Sequence, residues 1–483
     1  MYIWGHLVVI SNYKSDMTQI PKDITEHKIQ TFLWEHREEF CSFIIEPHFP
    51  SDISVENPSY STASEILYNK FISILKKQWI NVQLIDLFGV EVPLKKDENS
   101  TIRADFLGIA GGANGLAIIE LKKSKQTERQ AFTELYAYGN HLRTKFMPMS
   151  KSDIFYVLIS PMQERIVMES ALQNFFFDRT NFFALIPSVE KSGAKISSLK
   201  LTPWIPSFEE FRTILDNSFS EKNFDIFKVV WEDLPGEWNP EGSEDPNEFM
   251  IERMNKVSSY AAQVMEARGI HGFVFSSQLW SELKESLPFT NSLIIVGINP
   301  YKATKNRFLI NQGICKKEAD EVDIDSISFL DIIPELSSKS KDENEKYNYL
   351  SSLSMSWDNE IASIGFDIVK TITKSTNRKD VLTSSGSFDW AIYQTLFLED
   401  ISCHNFDIKP TGLIRELWTD YSKLDYDFIR ENGSSDHVHY SHGDFSSEFV
   451  DIVFSQFHVR EFIRRLYSPF YEFEDDCEIE NDE

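Results

Sequence analysis

The apolar positions of this chain change period along its length, and the changes mark out its elements. Ile102–Ala110 and Leu116–Ser124 are strand-like runs separated by GGANG, whose Asn114-Gly115 pair supplies the positive φ values of a tight hairpin turn. From Glu128 the spacing turns helical, with Phe132, Leu135, Tyr136 and Leu142 on one side. Before this hairpin the pattern predicts a helix over Thr62–Trp79 and a strand or two in Ile80–Val92, then a polar turn at 95–100. After it come a strand over Asp153–Met162, a helix over Glu164–Phe177 and a closing strand in Asn181–Val189. The first residues are strand-like. Thr25 then caps a helix striped by Ile29, Phe32, Leu33 and Phe40.

Residues 191–245 carry Pro203, Pro206, Pro235 and Pro240 and read as a transition. Beyond them, Phe249–Arg268 is a helix ended by Gly269, and residues 269–301 read as strand, helix, strand. Helical patterns follow in 359–374, 384–401, 411–430 and 448–470, and the acidic tail 471–483 is expected to be disordered. The fold class is therefore α/β: a mixed sheet flanked by helices, then a second α/β to mainly α region. The expected division is 1–55 (strand and helix), 56–190 (a first core domain), 191–245 (linker), 246–470 (a C-terminal region) and the tail.

The chemistry enters where charge interrupts apolar strands. Asp105 lies between Ala104 and Phe106, and Glu120 and Lys122 close the run LAIIELK. Alternation sends Glu120 and Lys122 to one face, and the hairpin can bring Asp105 beside them. Such charges cost desolvation energy unless compensated, and a divalent cation compensates two carboxylates. Magnesium takes hard oxygen ligands, often two carboxylates with waters and a substrate phosphate. The lysine can then orient water or balance charge on the reacting phosphorus.

Asp105 followed by Glu120-Leu121-Lys122 resembles the motif of the PD-(D/E)xK nuclease superfamily. So does the order helix, strand, Asp strand, hairpin, E-x-K strand, helix, strand. Ala104 stands where the family name has proline. The resemblance covers roughly residues 56–190. It implies a restriction-endonuclease-like sheet and a metal-dependent endonuclease acting on DNA, with RNA also open. It makes Asp105, Glu120 and the Leu121 carbonyl ligands of Mg2+ or Mn2+, and Lys122 the group that positions water. Glu65 becomes an accessory glutamate, while Gln130 or Glu134, one helical turn apart, orients the lysine or the phosphate. The helix around Glu26, of E-x-x-I-Q-x-F-L type, is similar to the opening helix of Shedu-type defence nucleases, so Glu26 rivals Glu65. The chain thus resembles Shedu-type or Mrr-like anti-phage nucleases, although the motif lies N-terminally here and C-terminally in Shedu-type proteins. A homo-oligomer and a helicase or ATPase partner fit the same picture, with the C-terminal region as sensor, regulator or oligomerisation surface. The alternative is a non-cleaving nucleic-acid-binding or scaffold subunit of a defence or repair complex.

Charge sharpens this reading. The net charge of −27 argues against broad coating of nucleic acid. Residues 121–151 nevertheless hold seven Lys or Arg against two acids, a basic island over the motif. The chain has 483 residues, room for more than one domain, and its 42% hydrophobic composition is that of a globular protein. Cys41, Cys315, Cys403 and Cys477 form no C-x-x-C pair, and with no signal peptide or membrane-length apolar run the expected location is the cytoplasm. His437, His439 and His442 form a histidine cluster that superficially resembles the H-x-H-x-D-H metal motif, with Ser441 in place of the aspartate; a polar loop is the plainer reading, and zinc the ion if it binds one. No P-loop, dinucleotide-binding turn or G-x-S-x-G elbow is present, so any ATP-driven motor belongs to a partner.

Overall fold

In a computed structural model the chain is mixed α/β. The structure describes residues 20–50, 63–94, 103–111, 115–124, 128–215, 218–219, 221–232, 246–279, 289–334, 349–374, 383–389, 403–420 and 430. The strand-like N-terminus, the turns at 95–100 and 112–114, the three histidines, the helix expected over 448–470 and the acidic tail lie outside the described residues. The chain divides into two compact units: Met1–Ile53 with Tyr68–Phe208, and Ser54–Leu67 with Glu209–Glu483.

In the first unit α1 (Glu26–Glu35) starts at the expected cap, where the Thr25 hydroxyl accepts from the Lys28 amide at 3.2 Å. α2 (Ala63–Gln83) runs on past Trp79, because Val82 continues the buried stripe. The strand expected from Ile80 therefore starts later, as β1 (Asp86–Pro93). β2 (Arg103–Ala110), β3 (Gly115–Leu121), α3 (Ala131–Lys145), β4 (Ile154–Ile159) and α4 (Arg165–Gln173) follow in the predicted order. β5 (Asn181–Ser192) and β6 (Lys195–Pro203) complete a sheet of order β1-β2-β3-β4-β5-β6. The β3–β4 and β4–β5 pairs are parallel and the other pairs antiparallel. The domain end expected at 190 falls inside β5, and β6 lies wholly in the segment read as linker. Its alternation, KISSLKLTP, is half polar because an antiparallel edge strand buries only one face.

β4 is buried at every position, as a parallel strand covered on both faces must be. Adjacent side chains of β5 meet different helices: Phe182 lies 5.2 Å from Phe132 of α3, and Phe183 lies 6.1 Å from Trp79 of α2. α3 approaches β4 through Gly139, where a Cβ would sit 2.1 Å from the Tyr156 hydroxyl oxygen. Gly139→Ala is expected to lower stability by about 1–3 kcal/mol through overpacking, because Tyr156 is buried on a rigid ring. That exceeds the gain in helix propensity of about 1 kcal/mol. Thermal unfolding checks it; an unchanged or raised midpoint contradicts it.

The second unit contains α5 (Phe208–Leu215), β7 (Phe224–Trp231), α6 (Glu248–Ala267), β8 (Gly272–Leu279) and β9 (Asn291–Ile298). α7 (Pro300–Asn311), α8 (Lys316–Glu321), α9 (Phe329–Ile332) and α10 (Leu350–Lys374) come next. β10 (Thr383–Asp389), β11 (Cys403–Asn405), β12 (Lys409–Thr411) and a helix over 412–420 complete it. The sheet order is β10-β7-β9-β8-β11, with β12 also on β8. Two expectations change. β7, an internal strand, lies in the segment read as transition. The start of the helix expected over 384–401 is instead β10, paired antiparallel along the whole of β7. The helix before β8 ends as predicted at Gly269, whose φ of +70° favours glycine. Cys41 and Cys403 are free thiols, whereas Cys315 is disulfide-bonded. Among the described residues no helix is long and apolar enough to cross a membrane.

Candidate active site

β2 and β3 pair with Phe106 opposite Ile119. One step further along this antiparallel ladder Asp105 and Glu120 stand opposite each other, on one face of the sheet. Lys122, two residues on, continues the same face, and its amide donates to the Ile159 carbonyl at 2.8 Å. The flanking Ala104, Phe106, Ile119 and Leu121 turn the other way into the core, each fully buried. The apolar neighbours therefore force the charged residues together.

The cluster is tight. Lys122 Nζ lies 2.5 Å from Glu120 Oε1 and 2.5 Å from Glu134 Oε2 of α3. Both contacts pair the buried ammonium with a carboxylate. Glu120 is only 2% exposed, and its Oε2 is buried without a hydrogen-bond partner. Asp105 Oδ2 accepts the Leu121 amide at 2.8 Å, and Oδ1 accepts Gln30 Nε2 of α1 at 3.1 Å. Glu26 Oε2 accepts the Lys123 amide at 3.1 Å, which brings a further carboxylate to the same end of the sheet.

Burial and crowding raise the acids' proton affinity. Burial, opposed by the Leu121 amide and Lys122, leaves the Asp105 carboxyl at about 6. Burial and then the Asp105 charge push Glu120 up to about 10. Burial pulls Lys122 down, but Glu120 and Glu134 outweigh it and the ammonium is held charged. Burial first, and the charges of Glu120, Glu134 and Asp105 after it, raise the phenol of Tyr138, which comes from α3 beside the cluster.

The structure brings together Asp105, Glu120, Lys122 and Glu134, as the sequence led one to expect. Gln130 is exposed at the N-cap of α3. Glu65 lies in the first turn of α2, within Ser54–Leu67, which belongs to the second unit. The charges of Glu26, the rival candidate, and of Glu134 both bear on Asp105. At Leu121 the amide, not the carbonyl, makes the contact seen with Asp105. Gln30 and Tyr138 were not singled out from sequence; only the Q of the E-x-x-I-Q pattern marked Gln30. Of the basic island, Lys122 is buried, Lys125 lies outside the described residues, and Arg129 pairs with Glu164 at 2.9 Å. Lys145 and Lys151 are exposed, and Lys123 and Arg143 partly so. Glu128 also proves structural: fully buried, it accepts from the Ser160 hydroxyl at 2.7 Å and the Glu164 amide at 3.1 Å.

The donor set suits a hard divalent cation. Two carboxylates share a face, and each oxygen keeps a lone pair beyond the bonds described. The unpartnered Glu120 Oε2 is an acceptor with no protein donor to meet it. Among the described residues no group of three or more His, Cys, Asp and Glu is disposed to hold a metal, so a cation here would draw on these two carboxylates with water and phosphate. No family model matches the chain, no curated protein matches its sequence and no solved structure matches its fold.

Proposed function

We propose that the first unit is a metal-dependent phosphodiesterase that cleaves DNA, built on the restriction-endonuclease-like plan. The observation that carries this is the cluster of half-buried Asp105 and buried Glu120, brought together across β2 and β3, with buried Lys122 against Glu120. The element order α2, β1, β2, β3, α3, β4 is the one the resemblance calls for. Asp105 and Glu120 hold Mg2+ or Mn2+. The bound ion supplies Lewis-acid polarisation of the scissile phosphate and lowers the pKa of attacking water. Lys122 keeps its proton, positions that water and faces the charge developing on the phosphate. Glu134 fixes the lysine from α3, and Gln30 fixes the Asp105 carboxylate from α1. Of the basic island, partly exposed Lys123 stands at the site end of β3, whereas Arg143 and Lys145 close the far end of α3 and Lys151 precedes β4, so the island does not gather over the site. The resemblance carries this activity towards restriction or anti-phage defence, in the cytoplasm and with a motor, where one is needed, on another chain.

The test is incubation of the purified chain with plasmid in Mg2+ or Mn2+, beside Lys122→Ala. Nicked or linear plasmid with wild type and intact plasmid with the variant is the expected result. Intact plasmid in both favours the scaffold reading, and equal cleavage in both removes Lys122 from the chemistry.

A further inference from the structure

The end of the sheet that carries Asp105 has a rim of donors on its β1 side, built from β1, β2 and α1. Glu91 stands between Val90, opposite Phe106, and Val92, opposite Ala104, so it is level with Asp105 on the neighbouring strand. Arg103, two residues before Asp105, shares its face of β2. Glu91 Oε2 lies 3.9 Å from Arg103 Nη1, and its Oε1 lies 3.6 Å from His27 Nδ1 of α1. His27 Nδ1 also lies 3.4 Å from Gln30 Oε1, and Gln30 Nε2 donates to Asp105 Oδ1 at 3.1 Å. Glu91, Arg103 and His27 thus flank the Asp105 carboxylate on the side away from Glu120.

Stability does not account for this group. Glu91 holds a left-handed backbone, with φ at +45°, which costs a residue that has a Cβ free energy. Ion pairs between exposed side chains, both longer than a hydrogen bond, contribute too little to offset that cost. The strained residue brings a carboxylate near two donors without consuming them. The Arg103 side chain is 63% exposed and that of His27 76%. Among the described residues Arg103 makes no hydrogen bond, so its fork of N–H donors is left for a ligand. On the β3 side, by contrast, the Lys123 ammonium is taken by the Lys22 carbonyl at 3.0 Å.

We propose that Arg103 and His27 form a subsite for the phosphate next to the one that is cut, with Glu91 as their positioning residue. The assignment rests on the reading of the first unit as a nuclease, and it carries the bound strand out of the site over β2 and β1. A planar guanidinium meets two oxygens of a phosphodiester at once, and the imidazole beside it adds a third donor. By the rise of a strand, Arg103 and Asp105 are about 6.8 Å apart along β2, so the guanidinium reaches beyond a phosphate held at Asp105 to its neighbour. Glu91 gives both donors a partner other than Asp105, and the Asp105 carboxylate stays free for the divalent ion.

The test is binding of a fluorescently labelled oligonucleotide, single-stranded and duplex, read by anisotropy in Ca2+ at several salt concentrations. Arg103→Ala is expected to bind at least about tenfold more weakly than wild type, the loss of one charge-assisted contact. Its slope of log K against log salt is expected to fall by about 1. His27→Ala binds about two- to tenfold more weakly. Arg103→Lys, a point charge in place of a planar fork, recovers the slope and only part of the affinity. Affinity and slope unchanged in Arg103→Ala, or no binding by wild type, overturn the proposal. Plasmid cleavage in Mn2+ separates it from the reading it rests on. If wild type binds without cutting, the nuclease reading fails, and the loss of affinity and slope in Arg103→Ala still establishes the phosphate contact. If wild type cuts and Arg103→Ala binds and cuts as well, the subsite alone is removed.

Discussion

Asp105→Asn is expected to leave a folded protein that cleaves plasmid at least about 10²–10³-fold more slowly than wild type. The amide keeps the shape of the carboxylate, and its oxygen can still accept the Leu121 amide that Asp105 Oδ2 accepts at 2.8 Å. It loses the charge on which the divalent ion depends. Folding does not need that charge, because burial already drives the Asp105 carboxyl up to about 6. A structural acid and a ligand acid part company here. Removing a structural carboxylate such as Glu128 leaves the Ser160 and Glu164 donors unmet and lowers stability. Removing a ligand acid held against its own solvation preference lowers activity and spares the fold. Parallel thermal unfolding and plasmid cleavage separate the two. A variant that unfolds, or one that cuts as fast as wild type, contradicts the assignment.

The metal-free protein is expected to lose stability as pH rises. Folding lifts Asp105 from 3.8 to about 6 and Glu120 from 4.5 to about 10. The folded state thus binds more protons than the unfolded chain between those values, and stability falls with pH there. The contribution of each acid is complete below its unfolded value. That of Asp105 is gone above about 6, and that of Glu120 drains away towards about 10. The slope is of order 1 kcal/mol per pH unit for each titrating group. It is read as the difference between wild type and Asp105→Asn/Glu120→Gln in EDTA, which removes the contribution of other carboxylates. Mg2+ or Mn2+ reverses the trend, because a ligand of the ionised carboxylates competes better as protons thin out. A difference flat or rising from about pH 5 to 8 in EDTA contradicts it.

Much of this site was legible in the chain because β structure has a short memory. Alternation over three residues fixes that Glu120 and Lys122 share a face, and a short hairpin fixes that Asp105 opposes them. The helix that follows the strand brings Glu134, in its first turn, within reach of Lys122. The α1 contribution was not legible. Gln30 and Asp105 are 75 positions apart, and Glu26 and Lys123 are 97, so local spacing carries no trace of either contact. Glu65 looked equivalent to Glu26 because both open amphipathic helices, and it is the Lys123 amide, held by Glu26 Oε2, that marks Glu26 out. β6 escaped because its alternation is half polar and is followed by proline. β10 escaped because the serines of Thr383–Asp389 mimic a helix cap, while its partner β7 supplies the apolar face that its own sequence lacks. The Asp225–Asp358 pair of the second unit was silent for the same reason as α1: Asp225, Asn299 with Lys302, and Asp358 come from three separate stretches of chain.

The central claim is that Asp105 and Glu120 are embedded in adjacent strands to hold a divalent cation. Calorimetric titration with Mn2+ near neutral pH reads this without any nucleic acid. Wild type is expected to bind Mn2+ with release of a proton, chiefly from the Glu120 carboxyl, and Asp105→Asn/Glu120→Gln to show neither the binding nor the release. Mn2+ bound equally by both proteins, or by neither, contradicts the claim.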